Sequence, residues 1–129
     1  MSLQILGIFE GGRPNVERIE LQALAPVSLA YYVLIHTTYI NSSAVASGAH
    51  PAFWFPPVRV EAGERIVLYT RGPSGLATSP GSLPRTFYWG LKQTIWNTPN
   101  DTAVLVQAVG WQTVARASPL FSSLNRIDA

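Results

Sequence analysis

Apolar and polar residues alternate along much of this chain with a period of two, the spacing of a strand that buries one face. At residues 17–23, Ile19, Leu21 and Ala23 share one face while Arg18, Glu20 and Gln22 share the other. Residues 3–10 are apolar and β-rich, and Gly11, Gly12 and Pro14 close them as a turn. At 29–37, Leu29, Tyr31, Val33 and Ile35 fall on one face, but Tyr32 and Leu34 make the opposite face apolar too. A central strand, or one covered on both sides, is predicted there. Short strands follow at 53–55, stopped by Pro56 and Pro57, at 58–60, and at 65–70 after a turn where Gly63 can supply a positive φ.

The stretch 85–114, RTFYWGLKQTIWNTPNDTAVLVQAVGWQTV, carries the clearest order of signals. An aromatic strand leads to a polar Asn/Pro turn at 97–101, then an apolar strand at 101–108. A tight turn at Gly110 and a further strand starting at Trp111 complete it. Two stretches interrupt the pattern. Residues 38–51 are rich in Ser, Ala, Gly and Asn, and residues 72–84 hold little but Gly, Ser and Pro. Both predict long loops, the second ordered only by a ligand or a neighbour. The tail changes period: Ser118 can cap, Pro119 suits a first helical position, and Leu120, Phe121, Leu124 and Ile127 have helical spacing. A short C-terminal helix is predicted, docked on its own domain or exchanged with another subunit. The whole pattern describes one all-β domain over residues 1–129, an antiparallel β-sandwich.

Composition narrows the functional classes. Charged residues make up 12% of the 129, against about 25% in a typical soluble protein. A surface this neutral associates readily, which predicts a homo-oligomer or a lasting protein partner. Eight Arg and one Lys stand against seven acids with no basic run, so nucleic acid is not an expected partner. The chain has no Cys, which removes disulfides and thiolate metal sites and leaves the compartment open. Its N-terminus lacks the basic region of a signal peptide. No apolar run approaches the ~18 residues of a spanning helix.

Candidate chemistry is sparse. Nucleophilic catalysis needs an oriented base, and the only imidazoles are His36 and His50. A small hydrolase built on His50 with Ser42, Ser43 or Ser47 lacks a nucleophile-elbow context. Two His without metal-ligand spacing predict no metal, and no cofactor motif is present. The carboxylates Glu10, Glu17, Glu20, Glu61, Glu64 and Asp101 have no sequence context that buries them, and Asp101 is expected to accept backbone hydrogen bonds in its turn. No enzymatic activity is expected.

The aromatic residues point elsewhere. Neighbours in a strand face opposite ways, so Tyr31-Tyr32, Phe53-Trp54-Phe55 and Phe87-Tyr88-Trp89 cannot all enter one core. At least one from each set should point outward, as a protein interface or a sugar platform, unless loops or the C-terminal segment cover it within the monomer. Tyr32, Trp54, Tyr88 and Trp96 are the candidate binding residues, Trp96 with its ring in the core and its edge exposed.

Three segments resemble the lamin tail domain, an immunoglobulin-like β-sandwich: VERIELQAL at 16–24, FPPVRVEAGERIVLYT at 55–70, and the stretch 96–114, where Trp96 and Asn97 precede Asp101, an apolar strand and Gly110. The chain departs from that family where Ala30, Tyr31 and Tyr32 replace a frequent Gly-Trp. The resemblance implies a non-catalytic module that binds or self-associates. It carries over turn and core residues and no ligand site. A carbohydrate or cell-surface binding module is the alternative reading.

Overall fold

In the computed structural model of the protein, which describes residues 1–41, 44–45, 50–72, 75–76 and 84–116, every regular element but one 3-10 turn is a strand. The strands are β1 (Leu3–Phe9), β2 (Arg18–Ala23), β3 (Val27–Ser28), β4 (Tyr32–Asn41), β5 (Ala44–Val45) and β6 (Ala52–Trp54), then β7 (Arg59–Val60), β8 (Arg65–Tyr69), β9 (Gly75–Leu76), β10 (Arg85–Tyr88) and β11 (Asp101–Gln107). A first sheet has the order β1-β2-β8-β10-β9. In a second, β4 is central, with β11 on one edge and β5 and β6 on the other. β3 and β7 form a separate short pair.

The two larger sheets share one core. Ile19, Leu21, Ile66, Leu68 and Phe87 of the first meet Tyr32 and Leu34 of β4, and Leu29, Phe55, Val60, Trp89 and Trp96 close the cluster. Its centre is aromatic: the Phe55 ring lies edge-on to Phe53 at 5.0 Å and to Phe87 at 5.6 Å. Offset and edge-on pairs of this kind add about 0.5–1.5 kcal/mol each beyond the burial of their area.

Several sequence expectations are corrected. Residues 29–37 are not one strand. Ser28 Oγ accepts the Ala30 N–H, and Leu29–Tyr31 form a 3-10 turn. That turn shifts the phase, so the inward residues are Leu29, Tyr32 and Leu34, while Tyr31 is exposed. The loop read from 38 onward begins later, because β4 runs to Asn41 and pairs back with β5. Residues 111–116 form no strand. After β11 the Ala108 N–H binds the Tyr31 carbonyl, one step past the β4 ladder, and Trp111 packs against Tyr31 and Trp54. Among the described strands one pairing is parallel, β8 with β10, where the sequence predicts an antiparallel sheet. The C-terminal helix read at 118–127 and the serines Ser42, Ser43 and Ser47 lie outside the described residues.

The largest departure concerns charge. Glu17 is 2% exposed, although nothing around it in the sequence marks it as buried. Its Oε1 accepts the Gly12 N–H at 2.7 Å and the Trp96 N–H at 3.1 Å, and its Oε2 accepts the Ile95 N–H at 2.9 Å. Its own carbonyl accepts the Thr70 N–H. Two glycines allow the approach. Gly12 has φ +83, and a Cβ on Gly11 would sit 2.5 Å from the Trp96 carbonyl oxygen.

Removing the carboxylate strands buried backbone donors, each worth about 1–3 kcal/mol when left unpaired. Glu17→Ala is therefore expected to lower the unfolding free energy in urea by about 3 kcal/mol or more. Glu61→Ala, at an exposed ion pair with Arg59, should change it by less than about 0.5 kcal/mol.

Candidate functional site

The outward face of the second sheet is apolar. Register sets Ile35 beside Val104, and Val33 beside both Val106 and Trp54, on the face opposite the core residues Tyr32 and Leu34. Tyr31, leaving the 3-10 turn, and Trp111, arriving after β11, converge at one end of this face. Trp111 stands edge-on to Trp54 at 5.2 Å and to Tyr31 at 5.9 Å. All three remain about half exposed, at 46% for Tyr31, 48% for Trp54 and 49% for Trp111, with Val106 at 39%. The Trp54 indole N–H donates to the Ala30 carbonyl at 2.6 Å, so its polar edge is spent inside the molecule and its apolar ring faces out.

Each of the three aromatic sets does send one member outward: Tyr31, Trp54 and Tyr88. Among the four candidate binding residues, only Trp54 belongs to the exposed cluster. Tyr32 is fully buried and its hydroxyl oxygen accepts the Ser2 N–H, so its position in the set is taken by Tyr31. Trp96 is 4% exposed and packs edge-on against His36 at 4.8 Å, a core residue without the exposed edge expected of it. Tyr88 lies on the other sheet, stacked on Tyr69 at 5.5 Å and 21°, with Gly72 against its ring. Trp111 is not a candidate from the sequence, because its neighbours Tyr31 and Trp54 come from distant segments, which no local spacing records.

The outward face of the first sheet is mixed by contrast, with Arg18, Glu20 and Arg65 beside Val67, Tyr69 and Tyr88. Glu20 is nearly buried, accepting from Arg18 Nε at 2.9 Å and from Arg65 Nη1 at 3.2 Å. These side chains line a groove of about 910 Å³ together with Glu64, Val67, Tyr69 and Pro84.

His36 and Asp101 pair directly, the imidazole Nε2 donating to Oδ1 at 2.9 Å. The other oxygen, Oδ2, accepts the N–H groups of Asn97 and Thr98 and the Thr98 hydroxyl, as expected for the turn that opens β11. Burial acts to raise the Asp101 pKa, but the Thr98 N–H, the His36 ring, the Asn97 N–H and the Thr98 hydroxyl outweigh it and hold it below the ordinary 3.8. His36 Nδ1 has no hydrogen-bond partner among the described residues. The pair thus locks β4, β11 and the 97–101 turn together. His50 lies 3.4 Å from the Thr37 hydroxyl. Among the described residues no three His, Asp or Glu side chains gather as a metal set, and no helix is long and apolar enough to cross a membrane.

No family model matches the chain, and no curated protein was found to match it.

The lowered Asp101 pKa gives its contribution a direction with pH. It is fully present above the unfolded value near 3.8 and is lost as pH falls through the folded one. Urea unfolding of Asp101→Asn should therefore show a deficit of about 1–2 kcal/mol at pH 6 that shrinks below about pH 4. A deficit independent of pH would contradict this.

Proposed function

We propose that this protein is a non-catalytic association module, an immunoglobulin-like β-sandwich of lamin-tail type, that joins protein surfaces through its neutral outer face. The observation that carries the reading is the half-exposed cluster of Tyr31, Trp54 and Trp111 on the apolar face of the second sheet. Rigid aromatic rings bring large contact area at little entropic expense, and exposed patches of this kind mark interaction sites. The shortage of charge favours a second copy of the chain as the first partner to test. The lamin-tail part is supported by the roles of the three resembling segments: β2 with Glu17, the consecutive strands β7 and β8 on either side of the Gly63 turn, and Trp96 with β11.

A second reading has its own observation. The groove bordered by Arg18, Glu20, Arg65 and Tyr69, with Tyr88 stacked almost parallel on Tyr69, combines planar polar groups with aromatic rings, the chemistry that recognises a carbohydrate. Binding on a glycan array that disappears in Tyr69→Ala would favour it, and a silent array would remove it.

Light scattering on a size-exclusion column tests the main reading. Wild-type mass should rise with concentration, and Trp54→Ala combined with Trp111→Ala should weaken that association about tenfold or more, the scale of losing buried aromatic anchors. Identical mass curves, with both proteins folded by circular dichroism, would overturn the role given to this face.

A further inference from the structure

We propose that the outer edge of β11 is a second contact surface, at which another copy of this chain pairs antiparallel and continues the sheet across a two-fold axis at Val104. This rests on the self-association reading but uses a different part of the molecule from the aromatic cluster.

β11 holds seven residues, DTAVLVQ, paired in unbroken register with β4 on one edge. Among the described residues no strand pairs with its other edge. Edge strands are ordinarily protected by Pro, by Lys, by an inward charge or by a bulge. After Asp101, which its turn and His36 occupy, β11 has none of these. The other long edge, β1, is protected: its ladder shifts between Ile5 and Gly7, and Arg18 lies over the Phe9 ring. Among the described residues the segment 108–116 does not shield the edge, because the Ala108 N–H and Trp111 both turn back toward Tyr31, on the β4 side.

The strand is also complementary to itself. A two-fold axis through Val104, the midpoint of Asp101–Gln107, pairs the full length of the strand with that of its copy. Val104 then faces Val104, Thr102 faces Val106, Ala103 faces Leu105, and Asp101 faces Gln107, so no like charges meet. These partners fall on matching faces. The row of Val104 and Val106 meets its copy on the outer side, and Ala103 and Leu105 meet theirs on the core side. Such apolar cross-strand pairs are what stabilise a sheet. The pairing would turn two apolar outer faces into one continuous surface with an aromatic cluster on either wing.

The absence of Cys makes a clean test. Directly opposed residues of an antiparallel pair have Cβ atoms about 5 Å apart, near the roughly 4 Å that a disulfide spans. Val104→Cys should therefore become mostly a covalent dimer under mild oxidation, both alone and combined with Trp54→Ala and Trp111→Ala. Thr102→Cys, about 13 Å from its own copy in this register, should stay monomeric on a non-reducing gel. Val106→Lys, at a partly exposed position, should weaken dimerisation tenfold or more while its melting curve stays cooperative. A wild-type protein monomeric at all concentrations would overturn the edge pairing and the self-association reading together. A wild-type oligomer in which Val104→Cys crosslinks no better than Thr102→Cys, or which Val106→Lys leaves intact, would overturn the edge pairing alone.

Discussion

The fold depends on one buried carboxylate. Glu17 enters the interior at the start of β2, where an ionised group without partners would be strongly disfavoured, and there it accepts three backbone N–H groups from two separate segments. Residues 95 and 96 belong to no strand, so their amides have no ladder to join. Glu17 supplies the acceptors. It thereby fixes Trp96 in the core, and Trp96 in turn supports His36, whose ring holds Asp101 at the entrance to β11. A single chain of contacts runs from the first hairpin to the last strand.

Around that chain the two sheets divide their tasks. Their inner faces make a common core rich in aromatic rings, where close packing leaves little freedom for substitution. Their outer faces differ in chemistry. The first sets charge among aromatic rings, with Glu20 held between two arginines beside Tyr69 and Tyr88. On the second, valine, isoleucine, tyrosine and tryptophan meet solvent. Water does not favour that arrangement, and an association that covers it relieves the exposure.

The fold was legible in the sequence wherever side chains alternate strictly and one face is buried. Ile19, Leu21 and Ala23 sit inside as their spacing requires, Gly63 takes the positive φ its turn needs, and the turn before β11 binds Asp101 as its residue types suggest. The candidate site was legible only in part. The sets Tyr31-Tyr32 and Phe53-Trp54-Phe55 announce that one ring must face outward. Which one depends on phase, and a 3-10 turn at 29–31 moved Tyr31 to the surface and Tyr32 to the core. Trp111 gave no local signal, since its neighbours come from distant strands.

The sequence alone determined the β class, the positions of most strands and the surplus of aromatic residues, because these follow from short-range periodicity, turn residues and composition. Only the tertiary structure decided that Glu17 is buried, that β8 and β10 run parallel, that Tyr31, Trp54 and Trp111 meet, and that no described strand pairs with the outer edge of β11. Each of these depends on which segments become neighbours across the sheets. That is settled by the packing of the whole chain around one core and is not written in the spacing of any one strand.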